Sequence, residues 1–222
     1  MKILNLFAGI GGNRTLWGDA HEITAVEYDT RIAMIYQKRF PNDNVVVADA
    51  WEYVVQHFPE FDVIWASPSC TTHSKMMLSH GGRAYKGQTT RPPLPDLRLY
   101  SLIIYLRAHF RGEWAVENVI PYYKPLIEPT ATVGRHLIWA SRHVENLPAT
   151  GTDTMCSNHA QLVDSGVFEE LIVKKGIDAG TLELLKLLPA RLYQKIVSNC
   201  VSPAEGKHIL DGLITKKQKR LF

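Results

Sequence analysis

The sequence predicts an α/β fold built on a doubly wound, mostly parallel sheet with a small irregular region. Two observations predict this fold. Short apolar runs alternate with amphipathic segments along the first half of the chain, and the connections between them are short. The first apolar run also breaks at a glycine-rich turn, Gly9-x-Gly11-Gly12, and leads into a segment typical of a helix start, which is the usual opening of a nucleotide-binding βαβ unit.

The individual elements follow from the same alternation. Short apolar runs predict strands, and amphipathic segments with apolar residues three and four apart predict helices. We expect strands at residues 2–6, 22–27, 44–48, 61–66 and 113–117, and helices at 13–20, 30–39, 50–57 and 96–110. The chain has 222 residues, of which 45% are hydrophobic, so it is long enough for one domain with a large core.

Polar and reactive residues stand at the carboxyl ends of the predicted strands. The glycine turn follows the first strand, and Glu27, Asp49, Cys70 and Glu117 stand at the ends of the next four. Ligands of parallel sheets bind at this edge, so these residues predict one shared site. Glycine lets the backbone approach a ligand closely, and a carboxylate at the tip of the second strand can accept hydrogen bonds from ribose hydroxyls. The turn is not Gly-x-Gly-x-x-Gly, which disfavours a nicotinamide dehydrogenase.

Two later regions depart from the alternation. Residues 71–95 are polar and rich in Gly, Pro and basic side chains, which indicates either a solvated loop or a basic lid that closes over nucleic acid. Residues 143–185 lack the alternation, although a short hairpin is expected around 171–176 and a short helix at 181–188. The basic run at 216–220 is typical of a solvated chain end and is also suited to phosphate contact.

Bulk composition limits the setting in which the protein works. A formal net charge of +3 permits nucleic-acid binding without requiring it. The three cysteines, Cys70, Cys156 and Cys200, indicate free thiols in a reducing compartment rather than a disulfide framework. No stretch is long enough to span a membrane and no signal-peptide cleavage pattern is present, so a cytoplasmic location is expected. The spacing Cys156-x-x-His159 is a poor zinc pattern, and no metal is expected.

Six segments between the first strand and about residue 210 resemble the motifs of one family, and they stand in that family's order. They are Phe7-Ala8-Gly9-Ile10-Gly11-Gly12, Val26-Glu27-Tyr28-Asp29, Ala48-Asp49-Ala50, Ser67-Pro68-Ser69-Cys70, Val116-Glu117-Asn118-Val119 and Ser198-Asn199-Cys200-Val201-Ser202-Pro203. The chain thus resembles the DNA cytosine-5 methyltransferases. The resemblance implies the Rossmann-like fold of S-adenosylmethionine-dependent methyltransferases and transfer of a methyl group to C5 of cytosine in double-stranded DNA.

The resemblance implies S-adenosylmethionine as the cofactor and assigns a set of residues to it. Phe7 would stack on the adenine, Glu27 would bind the ribose, and Asp49 would accept a hydrogen bond from the adenine amino group. The full implied set is Phe7, Ala8, Gly9, Gly11, Glu27, Tyr28, Asp49, Ala50, Pro68, Asn199 and Val201. The cofactor contains no phosphate, so the glycine turn need not be a phosphate cradle.

The resemblance also implies the catalytic residues. Cys70 would add to C6 of cytosine and make C5 nucleophilic. Glu117, a carboxyl group with apolar neighbours, would donate a proton towards N3, and Arg135 would bind O2 and orient Glu117. The substrate-binding set is Thr71, Ser74 and Asn118. Because the reacting carbons are inaccessible in stacked duplex, the enzyme would have to flip the base out of the stack.

The sequence departs from the family pattern at four positions. Ser69 stands where the second proline of the nucleophile motif is usual, and Thr71 replaces the glutamine that follows. Ala131 and Val133 stand where the glutamine and first arginine of the Gln-x-Arg-x-Arg motif are expected, which leaves only its last arginine, Arg135. The contacts that the missing side chains would make around the carboxyl group are therefore in question.

The domain and partner predictions follow from the resemblance. We expect a catalytic and cofactor-binding core at 1–142, a reduced target-recognition region at 143–188, and a segment at 189–222 that returns to the core. A recognition region this short predicts a short target sequence, or a second subunit or homodimer that supplies recognition. Two alternatives stay open: the same chemistry on RNA cytosine, and a non-catalytic or partner-dependent subunit that binds DNA or the cofactor.

Overall fold

The structure is a computed structural model that describes residues 1–75, 94–149 and 167–215. Most of the predicted basic lid, the pair Cys156 and His159, and the basic tail lie outside the described residues. Among the described helices, none has the length and apolar character needed to cross a membrane.

An eight-stranded, mostly parallel sheet forms the centre of the molecule and confirms the predicted fold class. The strands are β1 (Lys2–Leu6), β2 (Glu22–Glu27), β3 (Asn44–Val47), β4 (Val63–Ala66), β5 (Glu113–Val119), β6 (Ala131–Gly134), β7 (His136–Ala140) and β8 (Leu147–Pro148). Their order across the sheet is β3-β2-β1-β4-β5-β7-β6-β8. All neighbours pair in parallel except β7, which runs antiparallel to both β5 and β6.

Seven α-helices and two short 3-10 helices belong to the described part of the chain. The α-helices are α1 (Thr30–Arg39), α2 (Ala50–His57), α3 (Arg98–His109), α4 (Val167–Lys174), α5 (Ala179–Lys186), α6 (Ala190–Asn199) and α7 (Pro203–Ile214), and the 3-10 helices are Asn13–Leu16 and Phe58–Glu60. The five predicted strands and the helices at 30–39, 50–57 and 96–110 are confirmed to within a few residues. The predicted helix at 13–20 is only the 3-10 turn at Asn13–Leu16.

The strand order fixes where a ligand can bind. The chain winds outwards from β1 through β2 to β3, then returns to place β4 and β5 on the other side of β1. At such a reversal the loops after the two central strands diverge and leave a crevice at the carboxyl edge. In this protein these are the loops after β1 and β4, which carry the glycine turn and Cys70.

The hairpin between β6 and β7 brings Arg135 to the same edge. Val133 pairs with His136, so Gly134 and Arg135 form a two-residue turn. Gly134 has φ 58°, which suits the first position of a two-residue hairpin turn. Because β7 is antiparallel to β5, its first residue lies beside Val119, the last residue of β5.

The predicted hairpin around 171–176 is wrong, because residues 167–174 form helix α4. The apolar run at 171–173 favours a strand locally. The helix instead buries Ile172 and, just past its end, Ile177 in a cluster with Ile10 and Ile35. The helix ends at Lys174, and Gly176 just beyond it has φ 61°. The helix predicted at 181–188 is present as α5, two residues earlier.

The first loop and the last helix meet backbone to backbone. A Cβ atom at Gly206 of α7 would lie 2.4 Å from the carbonyl oxygen of Asn13, and one at Gly12 would lie 2.3 Å from the Val201 carbonyl oxygen. Trp17 donates a hydrogen bond from Nε1 to the Gly206 carbonyl at 3.1 Å. The two segments can approach this closely because each contributes a glycine at the contact. The contact holds the chain segment before α7 against the glycine turn.

We expect Gly206→Ala to lower the free energy of unfolding by about 1–3 kcal/mol, because backbone atoms of Asn13 cannot yield to the new methyl group. Chemical denaturation of the purified protein measures this change. Gly212→Ala, on the same helix, is the control, since the Cβ would meet only Val144 Cγ2 at 3.2 Å and backbone of 143–144 at 3.5 Å. Equal effects of the two substitutions would contradict the proposed backbone contact.

Candidate active site

A cavity of about 600 Å³ opens at the carboxyl edge of the sheet. Its size falls within the range of small-molecule sites, about 300–1,000 Å³. The loops after β1 to β4, the end of β5, the β6–β7 turn and helix α6 all contribute to its wall. The strand reversal at β1 and β4 therefore lies directly below it.

The glycine turn forms one wall of the cavity in a strained conformation. Phe7 has φ 55°, Gly9 has φ 55° and Gly11 has φ 76°. The Gly9 amide donates a hydrogen bond to Glu27 Oε2 at 2.9 Å, which ties the turn to the end of β2. A Cβ at Gly9 would meet nothing within 4 Å, so the backbone faces open space there.

Gly11 has a different role from the predicted one. A Cβ at this position would lie 2.5 Å from the Phe40 ring and 2.7 Å from the Tyr36 ring. Gly11 does not line the cavity, and its amide donates to the Ala8 carbonyl at 2.9 Å. It lets the turn pack on helix α1 rather than face a ligand.

Two carboxylates and an aromatic pair stand on the β2–β3 side of the cavity. Glu27 Oε1 accepts from the Asp29 amide at 3.0 Å, and Asp49 Oδ1 caps helix α2 by accepting from the Trp51 amide at 2.7 Å. The rings of Phe7 and Trp51 meet edge to face, with centroids 4.9 Å apart. Both aromatic rings and both carboxylates line the cavity, which gives it an apolar surface beside hydrogen-bond acceptors.

Cys70 lies in a tight turn after β4 that other residues hold in place. Its carbonyl accepts from the amides of His73 and Ser74, both at 3.0 Å. Ser69 Oγ lies 3.0 Å from Thr71 Oγ1, so the residue that replaces the usual proline joins the hydrogen bonds of the turn. Asn118 donates from Nδ2 to the Pro68 carbonyl at 3.0 Å, which fastens the turn to the end of β5.

The surroundings of Cys70 shift its acidity in both directions. Burial raises the pKa of the Cys70 thiol, and the charge of Glu117 raises it further. Arg135 and Lys195 act in the opposite direction. The Cys70 Sγ atom also lies 3.9 Å from Asn199 Oδ1, so the end of helix α6 borders the thiol.

Glu117 is buried, with 6% of its surface exposed, and its ion-pair partner is a histidine. His136 Nε2 lies 3.5 Å from Glu117 Oε1. Arg135, which was predicted to orient Glu117, instead donates from Nη2 to the Ser198 carbonyl at 3.2 Å. Within the described ranges, no lysine or arginine forms an ion pair with Glu117.

The cavity brings together most of the predicted site residues. Those that line it are Phe7, Ala8, Gly9, Glu27, Tyr28, Asp49, Ala50, Pro68, Cys70, Glu117, Asn118, Arg135, Asn199 and Val201. Thr71 and Ser74, which were predicted to bind substrate, do not line it, and Ser74 forms a bridge with Pro121. In the described part of the chain, no three His, Cys, Asp or Glu residues group as metal ligands.

Sequence reasoning assigned no site role to the cavity residues Trp51, His136 and Lys195. Trp51 and His136 directly follow predicted site residues, and this adjacency was the available signal. Lys195 lies on helix α6, in a segment for which no element was predicted. Arg98 reaches the site by packing over the Trp51 ring, 5.1 Å from its centroid.

A family comparison bears on the same part of the chain. Residues 1–90 match the family model of the C-5 cytosine-specific DNA methylases. The match covers less than half of the chain and is a similarity over that segment. The matched segment contains Gly9 of the glycine turn, Glu27, Asp49 and Cys70, all of which line the cavity. No curated protein matches the chain.

Several solved structures are similar to this chain. A mutant of DNMT2 from Spodoptera frugiperda is 26% identical over 53% of this chain and 35% of its own, with a TM-score of 0.37. A SAM-dependent methyltransferase from Agrobacterium tumefaciens is 15% identical over 55% and 40%, with a TM-score of 0.39. The methyltransferase EhMeth from Entamoeba histolytica is 17% identical over 54% and 38%, with a TM-score of 0.36. The chain thus spans 35–40% of the length of these proteins.

We expect Glu117→Gln to increase the rate at which iodoacetamide labels Cys70 at pH 8, by about threefold to tenfold. Removing the like charge lowers the pKa of Cys70, and below the pKa one unit changes the thiolate fraction about tenfold. Arg135→Gln should have the opposite effect, because it removes a charge that favours the thiolate. Mass spectrometry of the Cys70 peptide measures both rates.

Cys70→Ser supplies the blank for labelling at other cysteines. If both charge variants changed the rate in the same direction, altered access rather than electrostatics would control Cys70.

Proposed function

We propose that this chain transfers a methyl group from S-adenosylmethionine to C5 of cytosine in double-stranded DNA. One observation carries the proposal: Cys70, Glu117 and the glycine turn, which lie far apart in sequence, line a single cavity. The family match over residues 1–90 supports the same chemistry.

The cavity fits the implied cofactor. Its open backbone at Gly9 leaves room for close approach by a ligand, and the Phe7 and Trp51 rings offer an apolar surface for an adenine. Glu27 accepts a backbone hydrogen bond on each of its two oxygens and Asp49 accepts one on Oδ1, and both carboxylates retain acceptor capacity for ribose hydroxyls and an amino group. The bound cofactor would supply the methyl group.

Cys70 has the surroundings of a nucleophile that is kept protonated until needed. Carbon 5 of cytosine is a poor nucleophile, and addition of a thiolate at C6 makes it reactive. Burial and Glu117 raise the pKa of the thiol, so the free protein holds mostly thiol at neutral pH. Arg135 and Lys195 favour the thiolate and stand where the negative charge would form.

Glu117 is the proposed proton donor to N3 of the cytosine. Attack at C6 drives electron density towards N3, so a proton delivered there lowers the barrier. Glu117 lines the same cavity as Cys70 and is buried, which restricts its carboxyl group to few orientations. Asn118 holds the Cys70 turn to the strand that carries Glu117, so the two reacting groups share one rigid support.

We infer that the target base leaves the duplex and enters the cavity, at a cost of a few kcal/mol of stacking energy. Arg135 and the exposed Lys195 stand along the α6 side of the cavity and are suited to flanking phosphates. The family match favours DNA over RNA, and the cavity itself would accept cytosine from either polymer.

The main test is transfer of labelled methyl groups from S-adenosylmethionine to unmethylated duplex DNA and, in parallel, to transfer RNA. We expect label at C5 of DNA cytosine with the wild type. Cys70→Ser should remove it, because a hydroxyl is not ionised to a useful nucleophile at this pH. Isothermal titration with the cofactor serves as the control for folding of the variant.

The other outcomes are equally informative. Label on RNA alone would contradict the DNA assignment and leave the proposed chemistry in place. An absence of label on both polymers, with cofactor still bound, would contradict catalysis by the chain alone and favour a partner-dependent subunit. The second subunit is a specific alternative, because the region predicted for target recognition, residues 143–188, is short.

Contact between α6 and the phosphate backbone can be tested separately. We expect Lys195→Gln to weaken binding of duplex DNA and to reduce the slope of log K against log salt by about 0.9, the value for one phosphate contact. Fluorescence anisotropy at several salt concentrations measures this slope. Lys186→Gln is the matched control, because Lys186 is exposed on α5, pairs with Glu183 and does not line the cavity. An equal change in both variants would exclude a specific role for Lys195.

A further inference from the structure

A chain of three buried ionisable side chains runs from the cavity into the protein. Glu117 Oε1 lies 3.5 Å from His136 Nε2, and His136 Nδ1 lies 3.5 Å from Glu205 Oε2. The three residues are only 6%, 7% and 8% exposed. The imidazole thus stands between two carboxyl groups, one at the cavity and the other behind it.

The fold places these three groups on one face of the sheet. Glu117 pairs with Ile138, so His136 lies two residues along β7 on the same face. Helix α7 packs on this face through Ile209, and Glu205 stands in its first turn. Ser202 caps the helix by accepting from the Glu205 amide at 3.3 Å, and the helix N-terminus favours a negative charge at Glu205.

His136 stands next to Glu117, where the family motif would lead one to expect a contact from an arginine. Val133, which stands at the place of the motif's first arginine, is fully buried in an apolar cluster. Arg135 makes a hydrogen bond to Ser198 rather than an ion pair with Glu117. Within the described ranges, His136 is the one basic side chain within 4 Å of a Glu117 carboxylate oxygen.

Burial limits the conformations that these three side chains can adopt. A charged group in the interior is costly unless it is paired, so Glu117, His136 and Glu205 each limit the rotamers of the next. Lys175 contributes a further positive charge near both carboxyl groups, and burial lowers its pKa. Lys175 is 5% exposed, so its charge acts through little screening solvent.

We propose that His136, held by Glu205, positions the Glu117 carboxyl group for proton donation and takes over the role of the missing arginine. This inference rests on the proposed function, because it assigns Glu117 to the methyl-transfer step. His136 and Glu205 are positioning residues, and their effect on the reaction passes through Glu117.

A kinetic double-mutant cycle tests the proposal. We expect His136→Asn to lower kcat by about 10- to 100-fold, since misplacement by an ångström can cost about that much, with KM for DNA and cofactor nearly unchanged. Glu117→Gln should lower kcat by about 100-fold or more. In the double variant, His136→Asn should add little, because its effect requires the carboxyl group. Likewise, Glu205→Gln should lower kcat in the wild type and not in the His136→Asn background.

Glu113→Gln is the matched control. Glu113 is a partly buried carboxylate at the other end of β5, in an ion pair with Arg142 at 2.9 Å. We expect it to reduce stability and leave kcat within about twofold, as for a residue with no path to the reacting groups. If Glu113→Gln lowered kcat as much as His136→Asn, a general loss of packing would explain both.

The same variants separate failure of the positioning from failure of the proposed function. If the losses of kcat from His136→Asn and Glu117→Gln multiplied in the double variant, the two residues would act independently, which would overturn the positioning role. A change confined to KM would overturn it as well. A wild type without methyl transfer would overturn the proposed function instead. In that event, urea unfolding of the same variants still tests the coupling between the three side chains. Additive changes in unfolding free energy for His136 with Glu117 and with Glu205 would overturn it, and non-additive changes would keep the coupled chain.

Discussion

Contact between the first loop and the segment before the last helix is the constraint on which the cavity depends. Gly12 and Gly206 have no side chains where these segments meet, and a methyl group at either position would collide with backbone atoms. Asn199 and Val201 therefore reach the cavity from the far end of the chain and stand beside the glycine turn. Arg39 strengthens the junction, because its guanidinium donates to the carbonyls of Ile10 at 2.6 Å and Gly176 at 2.7 Å. Burial lowers its pKa, yet guanidinium stays charged in proteins, so three segments converge on one buried cation.

Local patterns were sufficient to predict the parallel half of the sheet. Each strand from β1 to β5 is a short apolar run with a polar or reactive residue at its end, and a parallel sheet gathers such ends at one edge. The helix at α4 could not be predicted in this way. Its apolar run at 171–173 favours a strand locally, and only burial against α1 makes the helix the better solution.

The candidate site likewise contains residues that local patterns could predict and residues that depend on tertiary packing. Cys70 and Glu117 were predictable, because Cys70 follows β4 closely, Glu117 lies near the end of β5, and each needs only the sheet to reach the cavity. Gly11 was misassigned, because a positive φ in a glycine turn does not reveal whether the residue faces a ligand or a neighbouring helix. His136 was missed for a different reason: its partners Glu117 and Glu205 come from β5 and α7, and no sequence pattern records that those elements pack on one face.

Cys70 and Glu117, the two proposed reacting groups, repel each other when both are negatively charged. This repulsion helps to explain why Arg135 and Lys195 stand near them. A charged Glu117 raises the pKa of Cys70, so thiolate and carboxylate disfavour each other. A thiolate forms more easily once Glu117 carries a proton, which is also the form that can donate to N3. In the productive state the pair therefore carries a single negative charge, with Cys70 as thiolate and Glu117 protonated. Arg135 and Lys195 stand beside the sulfur. Phosphates that approach these cations would weaken their support of the thiolate, whereas cytosine that fills the cavity would exclude water and strengthen it. Base entry, rather than backbone contact alone, is then the event that favours attack.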